Sequence, residues 1–361
     1  MVDYQDKKGM IEQIKQIAGE KLASIKHIRR RIHQYPELAF RENLTAELIK
    51  TELSKLKDIK VLDHYGQSTA VVGVLNGLFP GKTIAIRSDI DALAIEESND
   101  LTFTSKHKGY MHACGHDAHI AILLGIAHIL VQFRDRIRGK IVFVFQPGEE
   151  GAAGAKFLVD QGLLQEFDIQ EIYGYHVYPS LPTETLGIRS GVVTSNSDQL
   201  RINIEKQENI ENKPVDLALV FSRLVVAFQQ IISRDIPPSE SGVITIGKVD
   251  IDNGENSVTS HASIQGTVRT LSAPVRNLVE QRIKQIFYHF QQTYQFAGQL
   301  HYKRGYPSVI NHAEVTECFL KWSTQFWGKS HTIHLKTPLM MGEDFSFYSK
   351  RIPACYFLDR K

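Results

Sequence analysis

The stretch His116-Asp-Ala-His-Ile-Ala-Ile-Leu-Leu-Gly-Ile-Ala-His-Ile-Leu-Val-Gln-Phe133, followed by Lys140-Ile-Val-Phe-Val-Phe145, decides the fold class. The first run has the length and apolar content of a buried helix; the second is a short β-branched and aromatic run of strand length. Outward from this pair the same alternation recurs. Short apolar runs at 70–75 and 83–87 precede it, and a helix at 153–161 and a strand at 172–177 follow it. Strand, helix and strand in repetition predict an α/β layer with a mostly parallel sheet. Upstream, 11–57 reads as helical, with Ile14, Ile17, Leu22, Ile25, Ile28 and Ile32 at three- and four-residue spacing, broken at Tyr35-Pro36. The rhythm changes near Gly187. A strand (199–205), a helix (215–234), two strands (242–250, 261–270), a helix (275–294) and a strand (299–302) follow. That βαββαβ order is the ferredoxin-like pattern. Helix and strand signals resume at 312–361, so the unit reads as an insertion. The expectation is one domain built from 1–188 and 304–361 and an inserted domain at 189–303, joined near 187–191 and 302–306.

Composition narrows the classes. Forty-two basic against forty acidic residues leave a formal charge of +2, which gives no general attraction to nucleic acid or to a membrane. The N-terminus, Met1-Val-Asp-Tyr-Gln-Asp-Lys-Lys, is polar and lacks the apolar centre of a signal peptide. The longest apolar run, 120–133, is interrupted by His128 and reads as too short to span a bilayer. Cys114, Cys318 and Cys355 are few, odd in number and far apart, so a reducing cytoplasm is expected rather than a disulfide framework.

Four segments carry chemistry. Gly109-Tyr-Met-His-Ala-Cys-Gly-His-Asp-Ala-His119 holds a thiol, imidazoles and a carboxylate, the side chains that bind transition metals at neutral pH. Cys114 and His116 are two residues apart, so an extended or turn segment points both the same way. His112 and His119 could be ligands or supporting donors. Asp117 could hydrogen-bond a ligating imidazole and fix its tautomer, or simply stabilise a helix N-terminus. Val144-Phe-Gln-Pro-Gly-Glu-Glu-Gly151 places Glu149 and Glu150 just after an apolar strand, where open α/β sheets put their sites. Neighbouring carboxylates there can divide the labour of a hydrolase, one as ligand and one as free base. Tyr173-Gly-Tyr-His-Val-Tyr-Pro179 presents His176 at another strand end, and Arg87-Ser-Asp-Ile-Asp91 closes a third. Asp89 or Asp91 could orient a ligand or cap the turn. Together these strand ends read as a metal-dependent hydrolase site.

At this point the chain resembles an M20-type metallopeptidase of the aminoacylase and amidohydrolase branch, which includes auxin-conjugate hydrolases and bacterial N-acyl-amino-acid deacylases. The matching stretches, in order, are Arg30-Arg-Ile-His-Gln-Tyr-Pro-Glu-Leu38, Arg87-Ser-Asp-Ile-Asp-Ala-Leu93, Met111-His-Ala-Cys-Gly-His-Asp-Ala-His119, Gln146-Pro-Gly-Glu-Glu-Gly151, His176-Val-Tyr-Pro179, Gly266-Thr-Val-Arg-Thr270 and Glu343-Asp-Phe345. The resemblance implies Cys114, His116, Glu150 and His176 as metal ligands and Glu149 as general base. It implies Asp89, Asp117, Asn256 and Arg269 as supporting or substrate residues. One or two divalent ions are implied, with Mn²⁺, Zn²⁺, Ni²⁺ or Co²⁺ all suited to mixed Cys, His and Glu ligands. The inserted domain becomes a lid and dimerisation domain. The implied partners are a small N-acyl amino acid and a second copy of the chain, with no nucleic acid and no membrane. The chain departs from the family in three places. The terminal His-His-Pro segment is not reached by Lys361. The lid's Gly-His-Ala-x-x-Pro-His is replaced by a stretch at 204–214 without histidine, and its Asn-Val-Ile-Pro reads Asn256-Ser-Val-Thr259. The expectation is therefore a metal-dependent amidohydrolase of N-acyl amino acids. The alternative is a non-catalytic or weakly active metal- or ligand-binding descendant of the same fold.

Overall fold

The computed structural model describes residues 4–205, 216–251 and 261–360. Its order begins with α1 (Tyr4–Gln34), α2 (Asn43–Ser54), β1 (Ile59–Tyr65), β2 (Ala70–Asn76) and β3 (Phe79–Asp89). There follow α3 (His116–Leu130), β4 (Arg138–Gln146), α4 (Gly154–Asp160), α5 (Leu163–Glu166), β5 (Glu171–Val177), β6 (Thr185–Ile188) and β7 (Gly191–Val192). The middle of the chain forms β8 (Asn196–Glu205), α6 (Leu217–Gln230), β9 (Gly242–Ile251), β10 (His261–Thr270), α7 (Ala273–Tyr294) and β11 (Ala297–Arg304). It ends with β12 (Ile310–Asn311), α8 (Ala313–Trp327), β13 (Thr332–His334), α9 (Ser346–Ser349) and β14 (Ala354–Arg360).

The chain divides into two compact units. The first comprises Met1–Gly191, Ile310–Lys336 and Asp344–Lys361; the second comprises Val192–Val309 and Thr337–Glu343. In the first, eight strands form one sheet in the order β1-β2-β4-β3-β5-β14-β6-β13. Its centre is parallel: β3 pairs with β4 and β5, and β14 pairs with β5. The antiparallel β1–β2 hairpin extends the β4 side. Central strands buried on both faces must be apolar throughout, and Val71, Val72 and Val142–Phe145 all have no exposed surface. Ile28 and Ile32 of α1, Ile49 and Leu53 of α2, and Ile120, Leu123 and Leu124 of α3 pack on Phe143 and Phe145 of β4. Ile25, Ile28 and Ile32 in the C-terminal half of α1 join this core, and Leu22 remains exposed. With the 3₁₀ turn that follows it, α3 is apolar enough by length and composition to cross a membrane, beyond the shorter run read from the sequence. Ile120, Leu123, Leu124 and Ala127 are nonetheless buried in this core.

The second unit is a four-stranded antiparallel sheet in the order β11-β8-β10-β9, with α6 and α7 between its strands in the sequence. This is the ferredoxin-like arrangement. Leu200, Ile202 and Ile264 of the sheet meet Val220, Leu224 and Phe228 of α6 and Val279, Ile283 and Phe287 of α7. Both helices are capped: Asp216 accepts the Leu219 N–H and Ser272 accepts the Val275 N–H. The second unit also takes in Thr337–Glu343, a segment that carries no strand periodicity. The Leu339 N–H donates to Val193 O at 2.8 Å and the Ser195 N–H to Leu339 O at 3.0 Å. The strand β1, another element absent from the sequence reading, is an edge strand whose Lys60 and Asp63 interrupt the apolar run.

Candidate metal centre

The polar cluster of the first unit gathers at the C-terminal ends of β3, β4 and β5 and at the N-terminus of α3. Parallel β-α topology leaves a crevice at this edge. The turn that delivers Cys114 and His116 depends on Gly115, which has φ +98°. A Cβ there would sit 2.5 Å from Val177 Cγ2, so the turn lies directly against the end of β5.

Cys114, His116, Glu149, Glu150 and His176 converge although they come from the turn into α3, the end of β4 and the end of β5. Ligand atoms of Cys114, His116 and His176 lie within 4.8 Å of one another, as do those of His116, Glu149 and Glu150. Cys114 Sγ is 3.2 Å from His176 Nε2. The other nitrogen of each ring is already engaged. His116 Nδ1 is 2.8 Å from Asp91 O, and His176 Nδ1 is 2.7 Å from Val177 O. Both are donors, since a carbonyl only accepts, and each ring therefore presents Nε2 to the cluster. His116 Nε2 is buried and has no hydrogen-bond partner among the described residues. A sulfur, two imidazole nitrogens and carboxylate oxygens around that atom fit a divalent transition ion.

Electrostatics agree with a cation site. Burial alone would push His116 down, but Asp89, Asp91 and Cys114 together raise it well above the ordinary imidazole value. Burial likewise opposes ionisation of Asp89, yet His116, His119 and Arg87 hold it well below the usual carboxylate range. His176 is pushed down to about 3 by burial and by His119, so it is neutral. Burial raises Glu150 and the Cys114 thiol and outweighs the opposing pull of His116 on both.

Around these atoms stands a second set of residues. His119 Nδ1 lies 2.6 Å from Asp89 Oδ1, and its Nε2 accepts the Val177 N–H at 2.9 Å. Both nitrogens are occupied, which makes His119 a support of the site rather than a ligand. Asp91 Oδ2 accepts the Glu150 N–H at 2.8 Å. Of the three carboxylate residues read as possible orienters, Asp91 holds the His116 ring through its backbone carbonyl and Asp89 holds the His119 ring. Asp117 follows His116 on α3 and its carboxylate faces α1 instead, at 3.0 Å from both Arg29 Nε and His33 Nδ1. His112 is buried, and burial pushes it down to about 4, with neither ring nitrogen partnered among the described residues. Arg269 is on β10 of the second unit. Asn256 and the histidine-free stretch at 206–215 lie outside the described residues. Sequence reasoning did not single out Gln146 or give Arg87 a role. Their only signal was position, a polar side chain ending an apolar strand.

Residues 85–360 match the sequence family described as peptidase family M20/M25/M40. Thermostable carboxypeptidase 1 of Saccharolobus solfataricus is 34% identical over 354 residues, covering 96% of this chain and 88% of that protein. The N-acetyl-L-cysteine deacetylase of Bacillus subtilis is 36% identical over 332 residues, covering 91% and 78%. Among solved structures, a dinuclear metal-binding peptidase of the M20 family from Bacillus subtilis superposes with a TM-score of 0.79 at 30% identity, covering 95% and 89%.

Proposed function

This chain belongs to peptidase family M20/M25/M40, and from that premise we propose that it hydrolyses the amide of N-acyl amino acids or similar small conjugates. The observation that carries the reading is the buried Nε2 of His116, without a hydrogen-bond partner among the described residues and 3.6 Å from Asp89 Oδ2, with Cys114, His176, Glu149 and Glu150 around it. Cys114, His116, Glu150 and His176 would hold one or two divalent ions. When bound, such an ion supplies Lewis acidity to the amide carbonyl and to the attacking water. The protein supplies the proton chemistry. Glu149 takes a proton from the attacking water and passes it to the leaving amine, a contribution worth about 10²–10⁴ in rate. Asp91 and the Val177 carbonyl keep the two rings turned with Nε2 inward. The reading is of a soluble enzyme. We take the second unit to pair two copies, since Leu219 and Val226, two turns apart on α6, are 45% and 60% exposed.

Metal content per chain and hydrolysis of a panel of N-acetyl amino acids test this together. Glu149→Gln keeps size but accepts no proton. It is expected to leave metal content near that of the unmodified protein and to lower turnover by at least about 10². Glu150→Gln is expected to lower metal content instead. Unchanged turnover in both would place the chemistry elsewhere. The stretch at 204–214 contains no histidine where the family's lid carries one, and that favours a second reading, a metal-binding descendant without turnover. It predicts metal-dependent thermal stabilisation with no hydrolysis of any panel member.

A further inference from the structure

A glutamate acting as base must be held, because its side chain turns about several bonds and only one arrangement faces the substrate. In the first unit a backbone group contributes to this: the Asp344 N–H donates to Glu149 Oε1 at 3.3 Å across 195 residues of chain. Asp344 is itself fully buried and tightly fixed. Its Oδ1 accepts from Arg87 Nη2 at 2.7 Å and from Gln146 Nε2 at 3.0 Å. Its Oδ2 accepts from Gln146 Nε2 at 2.9 Å and from the Ala155 N–H at 2.8 Å. Arg87 and Gln146 are immobilised in turn. Arg87 Nη1 donates to Asp89 at 2.8 Å and its Nε to Gln146 Oε1 at 2.9 Å, and Tyr348 Oη donates to the same Gln146 oxygen at 3.2 Å. The ends of β3 and β4 and the first turn of α4 therefore grip one carboxylate, and the backbone of that residue grips the base.

We propose that Asp344 is a positioning residue for amide hydrolysis, acting through its backbone N–H on Glu149 while Arg87, Gln146 and Ala155 lock its carboxylate. The proposal rests on Glu149 being the base. It gives the polar strand ends Arg87 and Gln146 a part in the reaction although neither is a ligand. An amide at this position could not replace the carboxylate. Asn accepts at one oxygen only, and its NH₂ would face Arg87 or the Ala155 N–H, donor against donor. The 344 backbone would shift, and a displacement of about 1 Å at a reacting group costs on the order of 10² in rate.

The test is a double-mutant cycle on the metal-loaded protein, with the best-hydrolysed member of the N-acetyl amino acid panel as substrate. Asp344→Asn is expected to lower kcat by about 10- to 100-fold, with KM and metal content unchanged because no ligand is touched. In the Glu149→Gln background the same change is expected to alter the residual rate by less than about twofold, since residues acting as one unit are not additive. If Asp344→Asn does not fold, Gln146→Met takes its place in the cycle. It removes one donor to both carboxylate oxygens and the acceptor of Arg87 Nε, while Arg87 Nη2 and the Ala155 N–H remain as donors to Asp344, and the same pattern is expected at smaller size. Full additivity with Glu149→Gln, loss of metal, or an unchanged kcat in the folded variant would overturn the positioning role. A Glu149→Gln protein with full activity would instead overturn the base reading on which it rests.

Discussion

Removing the Asp91 carboxylate separates the support of the metal site from its ligands. The Asp91 backbone carbonyl, which takes the His116 Nδ1–H at 2.8 Å, survives in Asp91→Ala. The side chain does not, and with it go the acceptor for the Glu150 N–H at 2.8 Å and a charge 3.4 Å from His116 Nδ1. One predicted ligand loses its backbone anchor and another loses the charge that makes its ring a better donor. Outer-shell losses of this kind cost about 10- to 100-fold in metal affinity. At a metal concentration about 1,000 times the dissociation constant, binding stabilises the unmodified protein by about 4.1 kcal/mol. A tenfold weaker site leaves about 2.7 kcal/mol at the same concentration, and a hundredfold weaker one about 1.4 kcal/mol. The assay is thermal or urea unfolding with Mn²⁺ or Zn²⁺ titrated in, with and without chelator. The expected result is that the variant keeps between one-third and two-thirds of the metal-induced gain. Asp91→Asn restores an acceptor for the Glu150 N–H and is expected to fall between the two. An Asp91→Ala protein with unaltered metal affinity would refute the reasoning that these partners tune the site.

Three further outcomes follow from other parts of the molecule. His33 is raised above its usual value, first by its hydrogen bond to Asp117 and, against the pull of burial, also by Glu97. A raised imidazole stabilises fully below its unfolded value near 6.5 and loses that contribution as pH rises through the folded value. The difference in urea midpoint between the unmodified protein and His33→Gln should therefore be largest near pH 5 and shrink above neutrality; a difference that grows with pH would contradict the assignment. Thiol alkylation followed by mass spectrometry should label exposed Cys318 first and leave Cys355, which is buried and pushed up to about 12, unreacted in the native protein. Added Mn²⁺ or Zn²⁺ should slow labelling of Cys114 alone, and equal slowing at Cys318 would remove Cys114 from the ligand set. Gly115→Ala combines a strained φ with a Cβ 2.5 Å from Val177 Cγ2. It is expected to cost at least about 1–2 kcal/mol and to weaken metal binding, with partial recovery in Gly115→Ala/Val177→Ala; no recovery would mean that the contact with β5 is not what matters.

The fold was legible where periodicity and punctuation agree. The run from His116 onward and the apolar strand at 140–145 could be read because helices and buried strands leave different lengths and side-chain types. The βαββαβ unit was legible for the same reason. What escaped were elements made by pairing rather than pattern. Thr337–Glu343 joins the second unit through backbone hydrogen bonds that any sequence could make. The site shows a similar split. Cys114, His116, Glu149, Glu150 and His176 stood out because metal-binding side chains cluster in short motifs at a helix start and at two strand ends. The partner that orients His116 did not, because it is a backbone carbonyl, and the Asp344 amide that holds Glu149 is equally silent in sequence. Asp117 was one of three carboxylates read as possible orienters, and one residue along a helix turned it toward α1.

The network around Arg87 shows why the site is built from polar groups where the sheet could have continued apolar. Arg87 has no exposed surface, and desolvating a guanidinium costs several kcal/mol unless charge and geometry repay it. Here it lies between Asp89 and Asp344, both also fully buried. One cation between two anions leaves an excess of negative charge, and it sits beside His116 and His119. Against the pull of burial, Asp89, with Asp91 and Cys114, raises His116. A divalent cation at Cys114, His116 and Glu150 would answer the same field more strongly than a proton. The buried charges thus create a demand for positive charge at the mouth of β3, β4 and β5, and the same Arg87 that offsets them fixes Asp344 and, through it, Glu149. An apolar replacement of similar volume could pack that space as well or better, but it would provide neither the field that draws a cation nor the amide that holds the base.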